Sequence, residues 1–344
     1  MKALFYTEPG DRSVLQYADT DDPTPGSLDV VIDVAATALN HLDVVQRSGW
    51  FTMPGMTLPH IAGMDVVGTV SAVGSEVTRL KVGDRVVVDP SLAEVPEGSK
   101  LASTDAFTGE PGVIGATVAG GYAEKCLVPE SHAHLLPAEM PWHYAVCFPT
   151  SWVTAWHALV TIGRLAAGES VMIHAAGSGL STAAIQLAKH LDATVLATAG
   201  TDEKCERARG LGADFVCNNR TDDITAWART LTDGVGVHMV FDHVGPALWA
   251  QSMFSLRPRG RLINCGNTTG DTAMIPSLGH LFHNGISIIG SDGYAHQEFA
   301  TAWDVYCAGS FKAPVDSVFA LRDGADAQDK MLSSNFFGKI VLEP

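Results

Sequence analysis

Apolar positions along the chain follow two rhythms. In the N-terminal third they form short runs: Val30 to Ala35, Val66 to Val73, and Val86-Val87-Val88 just after Gly83–Asp84. Each run has the length of a strand, and Pro25–Gly26, Gly74 and Gly83 punctuate them. Short strands with turn signals predict a compact, barrel-like β domain. From about Thr150 the period changes. SVMIHAA reads as a buried strand, and GLSTAAIQLAKHL carries Leu180, Ala184, Leu187, Ala188 and Leu191 at helical spacing. ATVLATA, a short helix over DEKCERARGLGA ending near Gly212, DFVCN, a helix through Trp227, HMVFDHV and RLINCG continue the alternation. This βαβαβ rhythm predicts an α/β domain with a doubly wound parallel sheet. ISIIGS predicts a sixth strand, and KIVLEP a final strand that returns to the first domain.

Residues 89 to 120 break both rhythms. Ser, Pro, Gly, Ala and Thr dominate there, and a loop of that length in a compact domain is expected to be functional or mobile. A chain of 344 residues predicts two domains, and 46% hydrophobic against 17% charged residues supplies a large core. The formal net charge of −16 disfavours nucleic acid and anionic membranes as partners. The first residues lack the apolar region of a secretory signal, and no run of about 18 apolar residues occurs, so a membrane span is not expected. Six scattered cysteines without a C-x-x-C pair predict reduced, buried thiols in a cytoplasmic protein.

The clearest chemistry lies at VMIHAAGSGLSTAAIQLAK. A buried strand runs into small residues and a helix begins at once, so the backbone can approach a pyrophosphate at free helix N–H groups. The small run Ala175-Ala176-Gly177-Ser178-Gly179-Leu180-Ser181 forms this turn. The strand Thr194 to Gly200 then ends without the Asp or Glu that binds a ribose diol in NAD-specific folds. Thr201 and Lys204 follow, and Arg207 lies just beyond; they suit a 2′-phosphate, with Asp202 and Glu203 weakening the positive field. NADPH is therefore favoured over NADH.

HAAGSGLSTAAIQLAK, ATAGTDEKCERARGLGAD, FDHVGPALW, RPRGRLINCG and FGKIVL, with ALNHLDVVQRSG, LPHIAGMDVVGTVSAVGSEVTRLKVGDRV and GGYAEKCLVP in the first half, resemble the medium-chain dehydrogenase/reductase superfamily, in its quinone oxidoreductase-like (zeta-crystallin-like) branch. The resemblance covers nearly the whole chain except about residues 90 to 119. It implies a GroES-like catalytic domain from 1–149 and 295–344, a Rossmann domain over 150–294, and an active site in the cleft between them. It implies cofactor contacts at Ala176, Ser178, Gly179 and Leu180 of the small-residue turn, and at Thr154, Asn219, His243, the Asn264-Cys265-Gly266 turn and Lys339, beside Thr201 and Lys204. At Asn219 the branch often has a Tyr, a departure that bears on the cofactor. A homodimer is also implied, with the ISIIGS strand pairing across a two-fold axis.

Zinc-dependent members bind catalytic zinc through a Cys, a His-Glu pair and a later Cys. The matching positions here are Asn40, Met64-Asp65 and Thr150. That set is poor for zinc, and residues 90 to 119 contain no cysteine for a structural zinc lobe, so no metal is expected. Without zinc to lower the pKa of a bound oxygen, the acceptor must delocalise the developing charge itself. An α,β-unsaturated ketone or aldehyde, or a quinone, does so when hydride adds. Asn40 is the candidate donor to that oxygen and Asp43 a second candidate at the site, while Trp50, Phe51, Trp152 and Phe282 are candidate walls of an apolar pocket. Thirteen histidines include the pairs His132/His134 and His280/His283, which lack a third ligand at a recognisable spacing and read as solvent-exposed or structural. The competing functions are an alcohol or carbonyl dehydrogenase of the same superfamily and an NADPH-binding protein without turnover.

Overall fold

The computed structural model describes residues 1–101 and 112–344. Two compact units divide them: Met1–Thr150 with Ala295–Pro344, and Ser151–Tyr294.

The first unit opens with β1 (Lys2–Phe5), β2 (Gln16–Asp19), β3 (Asp29–Ala38), α1 (His41–Ser48), β4 (Asp65–Val73), β5 (Arg85–Val88), β6 (Lys125–Pro129), β7 (Ala133–Leu135) and the single turn α2 (Trp142–Ala145). The chain passes through α3 (Pro149–Trp156) into the second unit. There it alternates through β8 (Ser170–Ile173), α4 (Gly179–His190), β9 (Thr194–Ala199), α5 (Asp202–Arg209), β10 (Phe215–Asn218), α6 (Ile224–Leu231), β11 (Val237–Asp242), α7 (Trp249–Ser255), β12 (Leu256–Asn264), α8 (Leu278–Asn284) and β13 (Ser287–Gly290). It returns to the first unit as α9 (His296–Ala308), β14 (Val315–Ala320), α10 (Gly324–Leu332) and β15 (Lys339–Glu343).

In the first unit, a seven-stranded sheet runs β14-β15-β3-β4-β5-β7, with β6 also paired to β3. Strand β15 lies antiparallel on β3, with Val341 opposite Ala38 and Leu342 opposite Thr37. This pairing carries the last residues of the chain to the end of β3, where Asn40 lies. The barrel core is the alternate set Val30, Ile32, Val66, Val70, Val86, Val88, Cys126 and Val128. Leu92 and Ile114 pack into the same core, and Ser91 bridges Val113. The stretch expected to be functional or mobile is anchored at both described flanks, because Leu92 and Ile114 bury apolar surface; its centre lies outside the described residues.

In the second unit, six parallel strands run β10-β9-β8-β11-β12-β13. Val171, Met172, Ile173, Met239, Val240 and Phe241 are completely buried, as a sheet covered by helices on both faces requires. The strand order reverses between β8 and β11, which marks their carboxyl ends as the place where such sheets bind ligands. Helix α5 stops two residues earlier than its sequence predicts: Gly210 caps it, while Gly212 takes the left-handed conformation at φ +109°. The stretch Trp142–Ile162 is long and apolar enough by composition to cross a membrane, with mean hydropathy 1.2, yet 67% of its most apolar window is buried in protein. Such burial is that of a core helix.

Candidate active site

At the end of β3, Asn40 occupies the N-cap position of α1, but its side chain does not cap the helix. Asp43 does that work: its Oδ2 accepts from the Asn40 backbone N–H at 2.8 Å and from the Tyr122 hydroxyl at 2.8 Å. Asp43 is 2% exposed, and burial pushes its carboxyl up to about 6. Named as a candidate at a position that supports the metal site in zinc-dependent relatives, and read there chiefly as structural, it is sealed inside the unit as a positioning group beneath Asn40.

The Asn40 amide is thereby left for other partners. Its Nδ2 donates to Asp65 Oδ2 at 3.0 Å, and its Oδ1 accepts from Lys339 Nζ at 2.9 Å. Lys339 Nζ also donates to the Leu39 carbonyl at 2.8 Å and lies 2.7 Å from Asp65 Oδ2. The other Asp65 oxygen accepts from the Thr150 N–H at 2.8 Å and the Thr150 hydroxyl at 2.6 Å. Asp65 is completely buried and Lys339 is 5% exposed. Lys339, expected at the cofactor, thus has its three N–H bonds committed within this unit. A lysine reaching the end of β3 from β15 meets a buried carboxylate there, and neutralising that charge decides where the ammonium goes.

The same positions do not suit a zinc ion. Asn40, Asp65 and Thr150 offer an amide, a carboxylate and a hydroxyl, and the carboxylate already holds an ammonium. A divalent cation placed among them would be repelled by Lys339, and the set contains neither thiolate nor imidazole. The residues do not fit zinc.

The second unit builds its candidate site at the carboxyl ends of β8, β9, β11 and β12. Ala175 takes the left-handed conformation, φ +50°, to turn the chain out of β8. Ala176 is completely buried and its N–H bonds to the Thr198 carbonyl at 2.9 Å, so the turn lies hard against β9. Ser178 caps α4, accepting from the Ser181 N–H at 3.0 Å. The N–H groups of Gly179 and Leu180 then stand at the open amino end of a 12-residue helix, the arrangement that receives a phosphate.

Two histidines brace this turn. His243 Nε2 lies 2.8 Å from Ser181 Oγ and 3.3 Å from Ser178 Oγ. Ser181 in turn donates to the His174 carbonyl at 2.6 Å. The His174 ring spans Thr198 at 2.8 Å and Ser252 at 3.0 Å, and Ser252 donates to Asp242 at 2.8 Å. This buried chain locks β8, β9 and β11 together beneath the loop. Asn264 donates to the carbonyls of Asp242 at 3.2 Å and Gly266 at 2.8 Å, shaping the turn that contains Cys265, whose thiol burial holds un-ionised.

At the tip of β9, Thr201 caps α5 by accepting from the Lys204 N–H at 3.3 Å. The Asp202 carboxylate accepts from Asn218 at 2.7 Å, which turns one of the two troublesome acids toward β10. Asn219 donates its backbone N–H to the Ala199 carbonyl at 2.9 Å. Arg220, which sequence reasoning missed, is set beside Gly200: a Cβ at Gly200 would lie 3.1 Å from Arg220 Nε. Among the described residues its guanidinium has no hydrogen-bond or ion-pair partner. The only signal for it was an arginine directly after a strand, a pattern too common to notice without knowing that β10 neighbours β9.

The expected pocket walls fare less well. Trp152 is 2% exposed and belongs to the core, because α3 turns that face inward. Trp50 and Phe51, 55% and 49% exposed, follow α1, and Phe282, 67% exposed, stands on α8; none is enclosed within its own unit. Thr154 is half-buried on α3.

Comparison with known proteins was decisive for the family. Residues 26–138 match the "Alcohol dehydrogenase GroES-like domain" and residues 179–307 the "Zinc-binding dehydrogenase" family model. A solved NAD-dependent alcohol dehydrogenase is 34% identical, with a TM-score of 0.92 and complete coverage of both chains. The chain belongs to the medium-chain dehydrogenase/reductase superfamily. A quinone oxidoreductase of Pseudomonas aeruginosa strain PAO1 is 29% identical over 100% of this chain and 99% of that one. The Escherichia coli quinone oxidoreductase, solved in complex with NADPH, is 25% identical with a TM-score of 0.84 and complete coverage of both. This medium-chain dehydrogenase/reductase is therefore an oxidoreductase with a GroES-like unit and a Rossmann-type unit, similar along its length to the quinone oxidoreductase-like branch.

Proposed function

We propose that this chain reduces an activated carbonyl compound, a quinone or an α,β-unsaturated ketone or aldehyde, with NADPH and without a catalytic metal. The observation that carries the proposal is the fixed amide of Asn40. Lys339 holds its Oδ1 and Asp65 takes one Nδ2 hydrogen, so the orientation of the amide is settled and its second N–H remains to donate.

The reaction follows from what such a donor can do. NADPH supplies the hydride, and the chain supplies orientation and electrostatics. When hydride adds to an enone or quinone, negative charge spreads over a conjugated system and settles on an oxygen. One well-aimed donor stabilises that oxygen by about 3–4 kcal/mol. A simple ketone gives a localised alkoxide, which a neutral amide cannot support to the same extent. Ser178, Gly179 and Leu180 would hold the pyrophosphate of a dinucleotide, with the Asn264-Cys265-Gly266 turn as a further contact. Arg220, Lys204 and Thr201 would receive a 2′-phosphate, and a guanidinium beside Gly200 is the group that phosphate calls for. The Escherichia coli relative bound to NADPH supports the same cofactor.

The likeness to an NAD-dependent alcohol dehydrogenase favours a second reading, alcohol oxidation. The donor set at Asn40, Asp65 and Thr150 argues against it. Initial rates separate the two: an enone or quinone with NADPH should turn over, while a simple secondary alcohol with NADP⁺ or NAD⁺ should not. The reverse result overturns the proposal. We further propose a homodimer. β13 is an edge strand of the parallel sheet, and Met274, Leu278 and Phe282 expose apolar surface in the segment before it, a combination that a second copy would cover.

A further inference from the structure

We propose that Asp89, His132 and His296 form a binding site for a first-row transition-metal ion such as Co(II) or Zn(II), separate from the site at Asn40. Asp89 follows β5, His132 stands directly before β7, and His296 is the first residue of α9. One ligand atom from each lies within 4.8 Å of the others. Two imidazoles and a carboxylate are the donors that borderline divalent ions select.

The surroundings prepare these groups as ligands. Asp89 and His132 are completely buried. Asp89 Oδ1 accepts from the Ser91 N–H at 3.0 Å, which leaves Oδ2 to face His296 Nδ1 at 2.7 Å. His132 Nε2 lies 3.0 Å from the Ala93 carbonyl. A carbonyl only accepts, so Nε2 carries the hydrogen and Nδ1 keeps its lone pair. That lone pair is held at 2.8 Å by the Ser131 hydroxyl, which can rotate away. A ring N–H fixed on a backbone carbonyl is the usual outer support of a metal-bound imidazole.

The His132 and His296 rings stack with centroids 4.3 Å apart, and the His134 ring lies 6.1 Å from His296. His134 Nε2 is buried without a hydrogen-bond partner. Arg79 and Glu94 also act on this cluster, with opposite signs. A metal ion between His296 Nδ1 and Asp89 Oδ2 would replace the 2.7 Å hydrogen bond that now joins them. Tetrahedral ligands about 2.0–2.1 Å from zinc lie roughly 3.4 Å apart, so the widest separation, within 4.8 Å, need contract by at most about 1.4 Å, while His296 and Asp89, now 2.7 Å apart, would open slightly. Such an ion would pin the start of α9 to the barrel of the same unit.

The test is titration of the chelator-stripped full chain with Co(II), followed by visible absorption and calorimetry. One Co(II) per chain, with ligand-field bands of low-symmetry nitrogen and oxygen coordination, is expected. His296→Gln, at a half-buried position, and Asp89→Asn should each weaken binding about 10-fold or more, whereas Asn40→Ala should leave it unchanged. Absence of saturable binding, or binding that survives both substitutions, overturns the site. Neither result bears on the reductase proposal, whose assay reads NADPH oxidation.

Discussion

Lys339 Nζ and Asp65 Oδ2 lie 2.7 Å apart, with both side chains withdrawn from water. The pair joins residues from β15 and β4 at the end of β3, and each group is costly without the other. Lys339→Met strands a buried carboxylate and should destabilise the protein by about 3–5 kcal/mol in urea denaturation. Lys339→Met with Asp65→Leu should recover much of that loss, because both charges are gone. A double variant no more stable than the single one would show that the two charges do not chiefly neutralise each other.

The same pair orients Asn40, so stability and turnover should separate. Asn40→Ala removes the donor proposed for the acceptor oxygen. Its kcat should fall by roughly 100- to 1000-fold, with little change in the KM for NADPH. Steady-state kinetics checks this, and an unchanged kcat would remove Asn40 from the reaction.

Arg220→Ala should raise the KM for NADPH by roughly 10- to 100-fold, the range of a lost charge-assisted hydrogen bond, and leave NADH almost untouched. Lys204→Ala should act in the same direction. If both cofactors lose equally, the two residues shape the loop and do not read the 2′-phosphate.

Asp43 gives a pH prediction. Burial raises its carboxyl from 3.8 to about 6. Between those values the native carboxyl holds a proton that the unfolded chain has released. Its contribution is therefore fully favourable below pH 3.8 and is lost as pH rises through about 6. Asp43→Asn keeps an oxygen for the Asn40 N–H and the Tyr122 hydroxyl but cannot ionise. Relative to wild type, this variant should gain stability between pH 4.5 and pH 7.5, by about 2 kcal/mol. Parallel stability curves would mean that Asp43 titrates normally.

Much of this was legible in the sequence, for a physical reason. Elements that bury one face write their period into the chain, so Val66 to Val73 and GLSTAAIQLAKHL appear as strand and helix at the expected places. The phosphate turn was equally plain, because Ala176, Ser178 and Gly179 adjoin in sequence. What could not be read were meetings between distant segments. Lys339 looked like a cofactor ligand until the β15–β3 pairing carried it to Asp65. Arg220 became visible only when β10 proved to flank β9. His296 was unremarkable until α9 brought it to Asp89 and His132. Trp152 and Asp43, for which residue type left chemistry and structure both open, are buried in the described structure.

The central claim is that hydride transfer here needs no metal. The most direct measurement is NADPH oxidation with an enone by chelator-treated protein carrying His296→Gln, so that metal at the second site cannot confuse the result. The account predicts turnover within about twofold of the untreated variant and no response to added zinc, since the reacting oxygen meets an amide and not a Lewis acid. Activity that disappears on chelation and returns with zinc would contradict it.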